Sequence, residues 1–201
     1  MVTEQFLQEL AQLLTQEQWD AIGVDQWVYG KGLPVNCPFP ASNRFLIVDE
    51  AVKMMLSTAP EAPDAKQMCY AAFETTKFWS THEWLRYIRG LEAGGATVGH
   101  YALADENYGF SGSPNPEIVA AWFSAILKTD YEGYDTAIYK KTVEEFLVKV
   151  GRRKFIVPMY ESMLNGDEKR QQWAREIYKK ARPAYHPLSQ GTLDALFASN
   201  E

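Results

Sequence analysis

The spacing of apolar residues constrains this chain most, because it follows the period of an α-helix along most of the sequence and never sustains the alternation of a β-strand. Helical patterns cover approximately residues 64–76, 97–107, 115–128 and 134–150, and others begin after Ser42, at Ser80 and near Asp167. Short connections make successive helices antiparallel neighbours. We therefore predict an all-α fold, an irregular two-layer stack of antiparallel helices arranged as an armadillo-like superhelix.

A run of helix breakers divides the sequence near its start. An apolar helical stripe at Phe6, Leu10 and Leu13 begins almost at the first residue, and glycines and prolines then crowd residues 30–40. Such a run forms a rigid, irregular connection. We expect a first segment at residues 1–40 and a helical domain at residues 41–201.

The composition is typical of a globular protein in a reducing compartment. The chain has 201 residues, of which 46% are hydrophobic, enough for a sizeable core. The net charge of -6 argues against nucleic-acid binding, which needs a basic face. Cys37 and Cys69 are too few for a disulfide scaffold. Because the sequence contains neither a bilayer-spanning apolar run nor a signal-peptide core, we predict no membrane partner and a cytoplasmic location.

A compact basic cluster follows Gly151 and consists of Arg152, Arg153 and Lys154. An arginine fork and a lysine ammonium together can hold a carboxylate more firmly than either alone. The alternative interpretation is the end of a helix, where cations complement the negative end of the macrodipole and glycine often follows. Local sequence leaves both interpretations open.

Motifs for catalysis are missing from the sequence. His82 and Glu83 begin an H-E-x-x-H pattern, but position 86 is Arg and supplies no second zinc ligand. Ser80 and Glu83 instead form the capping box of a helix. The sequence contains no G-x-S-x-G elbow and no glycine-rich phosphate loop. We therefore predict no catalytic residue and no metal ligand in this chain.

Four short segments, spread over most of the chain, carry a resemblance to a known family. They are residues 26–34 (Gln-Trp-Val-Tyr-Gly-Lys-Gly-Leu-Pro), residues 80–83 (Ser-Thr-His-Glu), residues 151–158 (Gly-Arg-Arg-Lys-Phe-Ile-Val-Pro) and residues 185–187 (Tyr-His-Pro). In this order they resemble segments of the C-terminal helical domain of the leukotriene A(4) hydrolase and related zinc aminopeptidases.

The resemblance implies a division of labour with a domain outside this chain. Residues 1–40 would be the tail of the catalytic domain and the interdomain linker, and zinc would lie in that missing catalytic domain. Arg152 and Lys154 would bind the carboxylate of a short peptide at the far end of the active-site channel. Arg153 would face either the channel or solvent. Epoxide hydrolysis does not follow from these segments.

The partners implied are therefore the chain's own catalytic domain and a peptide carboxylate. A second hypothesis is a helical scaffold without enzymatic function, whose basic cluster binds acidic peptides or protein partners. The two hypotheses differ in whether a zinc peptidase domain belongs to the same polypeptide.

Overall fold

The structure is a computed structural model that describes residues 2–38, 42–67, 76–129 and 136–200, and the side chains of residues 136–138 are left out of the description. Within these ranges the regular elements are all helices, so the predicted all-α class is confirmed. The helix predicted at residues 64–76 falls largely outside the described residues, as does Cys69. The two-layer, armadillo-like arrangement stays a prediction.

The chain divides into two compact units, the first ending at Ser42 and the second beginning at Asn43. The helices of the first unit are α1 (Thr3–Leu13), α2 (Gln16–Ile22) and α3 (Val24–Tyr29). Those described in the second unit are α4 (Asn43–Ser57), α5 (Thr81–Ala93), α6 (Val98–Tyr108), α7 (Pro116–Ile126), α8 (Thr136–Lys149), α9 (Arg153–Leu164), α10 (Glu168–Ala181) and α11 (Pro187–Ala198). Short 3₁₀ turns occupy Phe110–Gly112 and Arg182–Ala184.

The helices near the candidate site begin at capping residues that their sequences supply. Ser80 precedes α5, and its backbone N–H donates to the Glu83 carboxylate at 2.8 Å, which confirms the predicted capping box. Asn115 precedes α7, and its side-chain oxygen accepts from the backbone N–H of Glu117 at 3.0 Å. Pro116 occupies the first position of α7, where the missing N–H costs no helical hydrogen bond.

The core of the second unit is built around α7 and α9. Helix α4 packs on α5, α5 on α7, and α7 on α9, while α9 also packs on α10 and α11 and α8 packs on α10. The apolar stripe predicted on α7 is buried and comprises Val119, Trp122, Phe123, Ile126 and Leu127. Burial of large apolar side chains is the main force that holds such helices together. The packing of α7 on α9 also brings their first turns together.

Candidate functional site

The basic cluster lies at the beginning of α9. Helix α8 ends at Lys149, Arg152 is the N-cap of α9, and Arg153 and Lys154 occupy its first turn. The interpretation of these cations as the last turn of a helix is therefore wrong. The N-terminus is the positive end of the helix dipole, where added cations are unfavourable. The helix dipole therefore does not stabilise these cations, whereas a nearby anion does.

That anion within the structure is Glu117, in the first turn of α7. The Lys154 Nζ donates to Glu117 Oε1, and the Arg152 Nη1 lies 3.7 Å from the same oxygen. Two cations of α9 thus converge on one carboxylate oxygen of another helix. Local sequence does not single out Glu117, because an acidic residue in a first helical turn is the ordinary complement to the helix dipole.

The Phe155 ring makes cation–π contacts with both cations. Its centroid lies 5.3 Å from the Arg152 guanidinium carbon and 4.8 Å from the Lys154 Nζ, within the range of cation–π contacts. The ring itself is buried. The three charged side chains are partly accessible to solvent: Arg152 is 65% exposed, Lys154 47% and Glu117 35%. The arrangement therefore presents two positioned cations to an incoming anion.

Tyr185, from the resembling Tyr-His-Pro segment, packs against the start of the basic segment. A Cβ atom on Gly151 would lie 3.3 Å from the Tyr185 ring, closer than most real contacts, so the glycine permits this approach. The Tyr185 hydroxyl donates to the Leu147 carbonyl at 2.5 Å, and the Ser189 hydroxyl donates to the Gly151 carbonyl at 3.2 Å. These contacts join α8, the Gly151 connection and α11.

A pair of buried tyrosines extends these contacts into the core. The hydroxyl groups of Tyr160 and Tyr185 lie 3.2 Å apart, and because the Tyr185 proton goes to Leu147, Tyr160 donates the bond between them. Burial raises the pKa of Tyr185 to about 12, and burial also raises the pKa of Tyr160. Both hydroxyls are therefore neutral hydrogen-bonding groups, and the pair positions the basic segment structurally.

A shallow groove of about 300 Å³ opens beside Lys154, between α5, α7 and α9. Its apolar lining includes Leu85, Ile88, Ala120, Phe155 and Pro158. Arg89, Glu92, Glu117 and Lys154 supply its charged groups. The groove thus joins an apolar surface to Lys154 and its partner Glu117.

The predicted capping role of Glu83 is confirmed, and its carboxylate is fully engaged. It is buried and accepts hydrogen bonds from the Arg44 guanidinium at 2.9 and 2.7 Å and from the Ser80 backbone. Burial alone would raise the pKa of Glu83, but these hydrogen bonds outweigh it and hold the pKa below its ordinary value. Glu83 is a structural residue.

The other residues of the incomplete zinc motif do not face one another as ligands. His82 is exposed, and Arg86 pairs with Asp49 through two hydrogen bonds of 2.7 and 2.8 Å. In the part of the chain that the structure describes, no group of three or more His, Cys, Asp and Glu side chains could hold a metal ion. Among the same residues, no helix is both long and apolar enough to span a bilayer.

Comparison with known proteins identifies the family. Residues 79–197, more than half of the chain, match the family described as leukotriene A4 hydrolase, C-terminal. Leucine aminopeptidase 2 of Neosartorya fischeri is 27% identical over 190 residues, which are 92% of this chain and 27% of that protein. Aminopeptidase B of Mus musculus is 24% identical over 166 residues, 81% of this chain and 24% of that protein.

The matched region covers α5 to α11 and so contains both the cations and Glu117. The chain spans about a quarter of the length of these curated relatives. The resemblance inferred from the four segments is thereby confirmed, and this all-helical chain belongs to the leukotriene A4 hydrolase C-terminal family.

Proposed function

We propose that this chain is the C-terminal domain of a zinc aminopeptidase and that Arg152 and Lys154 bind the C-terminal carboxylate of the peptide substrate. The observation that carries the proposal is their convergence on a single carboxylate oxygen of Glu117. A geometry that holds one carboxylate can hold another, because both are planar acceptors of charge-assisted hydrogen bonds. Membership of a family whose relatives include aminopeptidases supplies the substrate class.

The chemistry belongs to the catalytic domain of the same enzyme. A zinc ion bound there would supply Lewis-acid chemistry and a water of lowered pKa. Residues 1–40 would form the tail of that domain and the linker that follows it. The contribution of Arg152 and Lys154 is to fix the far end of the peptide, so that its first peptide bond reaches the metal.

The size of this contribution follows from the exposure of the two cations. A hydrogen bond to a charged group contributes about 1.5–3 kcal/mol, and solvent screening reduces that value at exposed positions. With side chains 65% and 47% exposed, the pair lies toward the lower end unless the catalytic domain covers it. We expect a discrimination of about tenfold between a peptide with a free carboxylate and its amide.

Substrate pairs that differ only at the C-terminus test this proposal in the full-length enzyme. For Arg152→Ala, the ratio of kcat/KM for trialanine to that for trialanine amide is expected to fall severalfold, by up to about tenfold. Lys149→Ala is the matched control, because Lys149 is an exposed cation at the end of α8 that pairs with Glu145. Equal losses of kcat/KM for trialanine and for its amide would show that Arg152 does not bind the carboxylate.

A further inference from the structure

We infer that Glu117 determines specificity at the carboxylate site, by neutralising one of the two cations so that the site favours peptides with a single C-terminal carboxylate. Peptides whose last residue is Asp or Glu carry a second carboxylate and are disfavoured. This inference rests on the proposed function of Arg152 and Lys154. It adds a third residue, from a different helix, that selects among the peptides they bind.

The backbone of Glu117 is anchored by the cap of α7. Its backbone N–H donates to the Asn115 side chain at 3.0 Å, and the Asn115 amide donates to the Thr81 hydroxyl at 2.9 Å. The carboxylate stands in the first turn of α7, where the helix dipole stabilises negative charge. The backbone that carries the Glu117 side chain is therefore anchored to both α7 and α5.

The net charge of this ion-paired group sets how many carboxylates the site accepts. Arg152, Lys154 and Glu117 together carry a net charge of +1. One carboxylate from a peptide brings this group to neutrality. A second carboxylate leaves an excess negative charge next to Glu117, and like charges at such distances repel. This group does not include Arg89, which also lines the groove, or Glu92, whose carboxylate accepts from Lys128 at 2.5 Å.

Glu117 also competes with the substrate for the same donors. The Lys154 Nζ donates to Glu117, so a bound carboxylate has to share or displace that bond. Removing the Glu117 charge therefore strengthens binding of every carboxylate, and strengthens it most for a ligand with two. If Glu117 served only to hold Lys154 in place, its removal would weaken binding of both ligands alike. The two roles thus predict opposite signs.

The experiment uses the full-length enzyme with two substrates, trialanine and alanyl-alanyl-glutamate. In Glu117→Gln, the KM for both is expected to fall, and the ratio of KM for the acidic peptide to KM for trialanine is expected to fall about threefold to fivefold. Glu117→Asp keeps the charge and is expected to keep the parent ratio. A KM that rises for both peptides, or a ratio that does not change, overturns the inference.

Glu144→Gln is the matched control. Its carboxylate is 35% exposed, as is that of Glu117, and it pairs with Lys180 at 2.6 Å away from the site. The ratio in this variant is expected to equal that of the parent. If Arg152→Ala affects trialanine and its amide equally, the proposed function fails and the inference fails with it. If Arg152→Ala separates the acid from the amide while Glu117→Gln leaves the ratio unchanged, only the inference fails.

Discussion

The two units of this chain are stabilised in different ways. Among the described residues of the first unit, the only buried ones are Val24 and Pro34. Phe6, Leu13 and Trp27 of that unit stay exposed. Its helices depend on polar contacts at their ends, such as the Thr15 cap and the bond from the Asn36 amide to the Ile22 carbonyl at 2.6 Å.

The second unit depends on contacts between residues far apart in sequence. Its core is continuous from α4 to α11 and includes the fully buried side chains of Tyr87, Trp122 and Tyr160. Burial of apolar surface stabilises a fold in proportion to the area removed from water. The difference shows that helical sequence alone does not make a stable unit, because a helix also needs a surface on which to bury its apolar face.

Two tryptophans, one in each unit, test this comparison most strongly. Trp122 is 0% exposed and its indole N–H donates to the Ser111 hydroxyl at 3.1 Å, whereas Trp27 is 43% exposed. Trp122→Ala is expected to lower the free energy of unfolding by about 3–5 kcal/mol, because it leaves a cavity. Trp27→Ala is expected to cost less than about 1 kcal/mol.

Urea unfolding of the two variants of this chain measures the difference. Trp122→Phe keeps most of the ring volume and reports on the same site if the alanine variant does not fold. Similar losses for Trp122→Ala and Trp27→Ala would show that the two units do not differ in how they are stabilised.

The buried carboxylate of Glu83 gives the second unit a dependence on pH. Glu83→Gln is expected to lower the free energy of unfolding by about 1–3 kcal/mol at neutral pH, because the carboxylate accepts hydrogen bonds from Ser80 and Arg44. The pKa of Glu83 is held below its ordinary value. Its stabilisation is therefore complete above about pH 4.3, the unfolded value, and is lost as the pH falls through the folded-state pKa.

Unfolding experiments between pH 7 and pH 3, compared between the parent and Glu83→Gln, check this expectation. The difference in stability should shrink toward the acid end. Glu50→Gln is the control, since Glu50 is exposed and pairs with Lys53 in a local contact of α4. A Glu83 effect that is constant across this range would contradict the assigned role of the charge.

Two helix caps provide the finest test of the comparison. The Thr15 hydroxyl accepts from the Gln18 N–H at 3.2 Å in the first unit, and the Asp167 carboxylate accepts from the Arg170 N–H at 2.8 Å in the second. Replacing either residue by Ala costs about 1 kcal/mol. We expect the loss from Asp167→Ala in cooperative unfolding, because α10 packs into the core of its unit.

The loss of stability from Thr15→Ala is instead expected to appear only as faster hydrogen exchange of the α2 amides. Hydrogen exchange resolves local opening that global unfolding does not detect. If Thr15→Ala lowered the stability of the whole chain as much as Asp167→Ala does, the first unit would share the cooperative core of the second.

The sequence by itself determined the helices, because helical periodicity and capping are local properties. The capping box of Ser80 and Glu83 and the stripe on α7 were read from residues within a few positions of one another. The four resembling segments also identified the family, because they are short motifs of fixed spacing. Arg152 and Lys154 were also predicted from the sequence, because they belong to one of these motifs.

Only the tertiary structure decided what faces those cations. Glu117 lies more than thirty positions before Arg152, and the contact between them exists because α7 packs on α9 with their first turns together. The direction of the dipole at the basic cluster was likewise set by where α8 ends and α9 begins. Packing between distant helices decides such contacts, and no local pattern in the sequence encodes it.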